Sequence, residues 1–126
     1  MERKNISSGS KWEPLIGYSR AVRVGNQIFV SGTTGSDSAG KVAGDTYAQT
    51  KQALQNIAAA LAQAGATVEN VVRTRIYMTN ISDWEQAGKA HGEIFGEIRP
   101  ATAMVEVKRL IAPEMLVEIE ADAVIP

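Results

Sequence analysis

From Met115 to Val124 the chain alternates at period two. Val117, Ile119, Ala121 and Ala123 fall on one side and Glu118, Glu120 and Asp122 on the other. That pattern predicts a strand with one buried face. Residues 21–32, AVRVGNQIFVSG, read as two strands joined at Gly25-Asn26, a pair that tolerates the positive φ of a tight hairpin. Residues 33–44 are rich in Gly and Ser without a period and predict a loop. Behind the helix-capping residue Asp45, Leu54, Ile57, Leu61 and Ala64 recur at helical spacing until Gly65, which predicts a helix over 46–64. Residues 68–80 contain a strand with Val72, Thr74, Ile76 and Met78 on one side and Arg73, Arg75 and Tyr77 on the other. Ser82 and Glu85 form a capping box for a second helix carrying Trp84, Ala87, His91 and Phe95, stopped by Arg99-Pro100. Residues 101–110 alternate again, with Ala101, Ala103, Val105 and Val107 opposite Thr102, Met104, Glu106 and Lys108.

The order ββαβαββ predicts an α+β fold, a mixed sheet with both helices on one face. Its two β-α-β crossovers imply parallel pairing, and the outer strands are expected to return as antiparallel hairpins. The uncovered face is expected to gather Arg73, Arg75, Tyr77, Thr102, Met104, Glu106, Glu118, Glu120 and Asp122. Apolar side chains among those charges, together with open sheet edges, point to packing against sister subunits. A monomer with a wet sheet face would carry the same pattern.

The chain has 126 residues, 44% hydrophobic and 21% charged, which suits one domain over 1–126. A net charge of −1 offers no footprint for a polyanion. Cys is absent, which removes disulfides and thiol chemistry and fits a reducing cytoplasm. No signal peptide is visible, and the apolar run at 57–62 is too short for a bilayer. GSDSAGKV at 35–42 matches a phosphate-loop spacing, but Val42 stands where magnesium would need a hydroxyl and Asp37 would repel phosphate. His91, the sole histidine, lies on an apolar helical stripe and reads as a packing residue. Ser31 has no histidine partner for a triad.

IGYSRAVRVGNQIFVSG, RPATAMVEVKRL and LVEIEADAV resemble the Rid family, also called YjgF or L-PSP proteins, and the resemblance runs over nearly the whole chain. It implies a chorismate-mutase-like fold and a homotrimeric barrel with three small-molecule clefts between subunits. It further implies hydrolysis of reactive enamines and imines to ammonia and a keto acid, with no metal or cofactor. Some members carry endoribonuclease or translation-inhibitor names.

Carried over residue by residue, the resemblance makes Glu118 the group that positions a water. Ser31 and Gly32 become the turn lining the cleft. Thr102 stands where active members have a carboxylate-binding arginine, and a hydroxyl cannot supply that two-pronged, charged clamp. The chain is therefore expected to belong to a divergent subgroup with an altered substrate range. Met104 replaces a cysteine. Tyr18 stands one place before the expected aromatic, and Ser19 occupies the matched position. Arg20 and Arg75 are candidate replacements for the missing cation, against a structural reading in which the arginines pair with acids. An imine deaminase and a non-catalytic metabolite-binding trimer both remain open. A ribonuclease is disfavoured by charge and by the lack of a His-based acid–base pair. Neither nucleic acid nor membrane is an expected partner.

Overall fold

A computed structural model describes all 126 residues. The strands are β1 (Arg3–Ile6), β2 (Ala21–Val24), β3 (Gln27–Thr34), β4 (Val71–Met78), β5 (Ala101–Glu106) and β6 (Val117–Val124). The helices are α1 (Trp12–Ile16), α2 (Thr46–Gln63) and α3 (Trp84–Phe95). One sheet runs β1-β2-β3-β6-β4-β5. β4 and β5 are parallel, and every other pairing is antiparallel.

α2 begins where the sequence places it, because the Asp45 carboxylate accepts the Ala48 N–H at 2.9 Å. Such a cap contributes about 1 kcal/mol. Leu54, Ile57 and Leu61 on α2 and Ala87 and Phe95 on α3 bury against Ile28, Val30, Ile76, Met78, Val117 and Ile119 of the sheet. Both long helices thus cover one face. Gln49 is buried in α2 yet satisfied. Its amide donates to Gly44 O and Glu114 O, and its Oε1 accepts from Leu116 N–H. It fastens the helix to the segment that leads into β6.

The core architecture follows the predicted order, with two additions and several corrections. β1 and the short α1 lie in a segment without strong periodicity. β6 does not form a hairpin with β5; it inserts between β3 and β4, while β5 pairs with β4. The Ser82–Glu85 capping box is not formed. Asn80 instead accepts from Ser82 N–H and caps a 3₁₀ turn before α3. A register shift between Val71 and Arg73 reverses the parity at the start of β4, so Val71 is buried and Val72 is exposed.

The largest correction concerns β5. Thr102 pairs with Thr74 and Met104 with Ile76, residues of the helix-covered face. Paired residues in a ladder point the same way. Thr102, Met104 and Glu106 therefore lie on the helix side, and Ala101, Ala103 and Val105 share the open face with Arg73, Arg75 and Tyr77. Alternation alone gives two sides but not which is inward, and this edge strand is too exposed for burial contrast to choose.

Candidate active site

The open face centres on the second half of β3. Val30 pairs with Ala121 and Thr33 with Ile119, so Ser31 and Gly32 crowd into the space opposite Glu120 as a bulge. Glu118, from β6, lies directly against Gly32. A Cβ at that position would collide with the carboxylate, and Glu118 Cδ itself would be 3.0 Å away. Only glycine admits this approach.

The segment before β2 closes on the same bulge. Ser31 Oγ donates to Ser19 O at 2.6 Å, and Ser31 N–H donates to Arg20 O at 3.0 Å. Arg20 Nη2 donates to Gly32 O at 2.5 Å. Its guanidinium also lies 5.7 Å from the Tyr18 ring centroid, within cation–π range. Arg20 Nε is buried without a partner. Tyr18, Ser19, Arg20, Ser31, Gly32 and Glu118 are thus gathered at one place.

Burial raises the Glu118 pKa above its ordinary value. The positive Arg20 opposes that shift and Glu120 adds to it. A carboxyl raised in this way is a stronger base than one in water, and perturbed groups in clefts are characteristic of working sites. Neighbouring Glu120 accepts a hydrogen bond from the Tyr77 hydroxyl, whose pKa is raised by that bond and by burial. An open groove of about 1440 Å³ runs along this end of β3. Tyr18, Arg20, Ser31, Gly32 and Glu118 line it, with Trp12, Arg109 and Ile111 at its rim.

Three of the sequence candidates lie elsewhere. Arg75 Nη1 pairs with Asp122 Oδ2 at 3.3 Å, within the chain. Thr102 and Met104 are on the opposite face of the sheet from Glu118. The rim residues Trp12, Arg109 and Ile111 escaped the sequence reading because they sit in irregular or short segments that only the tertiary fold folds over β3.

The profile of the endoribonuclease L-PSP family matches residues 9–125. The chain belongs to this family, the Rid/YjgF proteins. A RutC family protein of Pyrococcus abyssi is 40% identical over 125 residues, covering 98% of each chain. The 3-aminoacrylate deaminase RutC of Acinetobacter baylyi is 33% identical, covering 87% of this chain and 88% of its own. Among solved structures, Rv2704 of Mycobacterium tuberculosis, described as a YjgF/YER057c/UK114 family member, shares 56% identity at a TM-score of 0.91, with 98% and 100% coverage. This Rid protein has the sheet order and helix placement described above. No helix in it is long and apolar enough to cross a membrane.

Proposed function

We infer that this protein is a single-domain, cytoplasmic Rid-type hydrolase that deaminates a small imine or enamine, and that three copies assemble to build its clefts. The observation that carries the reading is the Glu118 carboxylate, half-buried against Gly32 in a groove lined by Arg20 and Tyr18. A protonated C=N carbon is already electrophilic. Glu118 takes a proton from a water as that water attacks the carbon, giving a carbinolamine. Glu118 then hands that proton to the nitrogen, which leaves as ammonia, and takes back the hydroxyl proton as the carbonyl forms. The site contributes a base within reach and fixed geometry rather than a strong nucleophile. Likeness to a 3-aminoacrylate deaminase supports this class of reaction.

Glu118 and Thr102 lie on opposite faces of one sheet and cannot both face one substrate within a single chain. In a closed assembly, the β5 edge of one copy can approach the β3 bulge of another. The trimer is thus a requirement of the proposed cleft.

Freshly generated imines should release ammonia with the wild-type protein and not with Glu118→Ala. No turnover by either, over carboxylate, neutral and cationic imines, defeats the enzyme reading. The second reading is a trimer that binds a metabolite without converting it, favoured by a hydroxyl at residue 102 where a guanidinium clamp is expected. Thermal stabilisation by a ligand that stays intact would establish it.

A further inference from the structure

The molecule's sole histidine is not simply a packing residue. Thr74 is fully buried on β4, with Oγ1 2.9 Å from His91 Nε2 and 2.8 Å from Thr102 Oγ1. Thr102 Oγ1 donates to the Pro100 carbonyl at 3.2 Å. Each hydroxyl has one proton, so the last bond fixes the direction of the others. Thr102 gives its proton to Pro100, Thr74 gives its own to Thr102, and His91 Nε2–H donates to Thr74. Burial favours the neutral imidazole and lowers its pKa. Its ring is held against Phe95, centroid to centroid 4.6 Å.

The chain ends at an open edge. Val107 N–H donates to Met78 O at 2.7 Å. In a parallel ladder, alternate residues turn both backbone groups toward the neighbouring strand. Continuing that alternation back along β5 turns the odd positions to β4 and the Pro100 carbonyl to the unpaired side. Thr102 is itself exposed. At 3.2 Å its bond to Pro100 is long for O–H···O, and it is the link most readily exchanged.

We propose that Thr102 Oγ1–H and Pro100 C=O together bind a primary carboxamide. The amide carbonyl accepts from Thr102, and an amide N–H donates to Pro100 O. The ligand replaces one long internal bond with two. A carboxylate in the same place sets its second oxygen against a carbonyl oxygen, with no proton between them. His91 and Thr74 are positioning residues that aim the Thr102 proton outward. The proposal rests on the reading of Thr102 as facing the substrate cleft. It names the substrate class there: an imine or enamine whose acid group is an amide.

The test uses the assembled protein with labelled methionine methyls, backbone amides and histidine nitrogens, titrated with propionamide and propionate. Met104, beside Thr102 on the same face, is the reporter. The expected free form is the neutral Nε2–H tautomer of His91. Propionamide should shift Met104 and bind about fivefold or more tighter than propionate, the worth of roughly one net hydrogen bond. Thr102→Ser keeps this preference and Thr102→Val removes it. Thr74→Val weakens propionamide and releases the tautomer, whereas Thr74→Ser preserves both and controls for folding. An Nδ1–H tautomer, or propionate binding as well as propionamide, overturns the proposal. Shifts at the Gly32 amide with none at Met104 overturn it too, while leaving the Glu118 groove standing. Silence at both places removes the cleft reading with it.

Discussion

Glu118 lowers the stability of the fold that holds it. Its folded pKa lies above the ordinary carboxylate value because burial disfavours the charge. The folded chain therefore binds more protons than the unfolded chain between that raised value and about 4.5, and Glu118's contribution becomes more favourable as pH falls through this window. At neutral pH the ionised group is a net cost. Glu118→Gln should melt at a higher temperature than wild type at pH 7, while ammonia release falls by about 10²–10⁴-fold. A variant that loses both stability and activity would mark Glu118 as a structural anchor. His91 has the opposite sign. Burial depresses its pKa, so the unfolded chain binds the extra proton as pH falls below about 6.5, and stability is lost from there down through the folded value. His91→Gln should flatten the fall in melting temperature over that range. At this scale the sequence was informative where alternation met a family motif, as at Glu118. It read His91 only as a packing residue, because a bond from α3 to β4 to β5 leaves no mark in local spacing.

The β3 bulge is the element on which the site depends. It turns Ser31 and Gly32 toward the open face, ties them to the Tyr18–Arg20 segment, and leaves room for a carboxylate only because residue 32 has no side chain. Gly32→Ala should fold, since the atoms in the way are the flexible end of Glu118. The displaced carboxylate should reduce kcat by on the order of 10²-fold. A thermal scan beside a rate measurement separates this from unfolding; full activity would show that Glu118 does not work from its observed position. Strand and helix positions were legible here because hydrophobic contrast is strong in α2 and β6. The orientation of β5 was not. Thr102 and Met104 alternate correctly with Ala103 and Val105, but an edge strand with little burial gives no energetic reason for one face over the other until Thr74 and Ile76 are seen beside it.

At the scale of the whole molecule, the face away from the helices carries acids and arginines together with Phe29 and Val105, which are 46% and 44% exposed. Covering these apolar groups with other copies would give the proposed trimer its driving force. Phe29→Glu combined with Val105→Glu should shift the sedimenting species from trimer toward monomer, and ammonia release should fall with it. A trimer that survives both changes would place the interface elsewhere. The sequence suggested self-association from the mixed character of this face, but it put Thr102 there as well. The correction matters because it puts Thr102 and Glu118 on opposite faces of the sheet within one chain.

β6 comes last among the strands yet lies third from one edge of the sheet, with β3 on one side and β4 on the other. Without it the two flanking halves have no partner in common, and the floor beneath the long helices lacks Val117 and Ile119. β6 therefore acts as the keystone that joins the two halves into one sheet. Residues far apart in the chain must meet for that step, which favours slow closure.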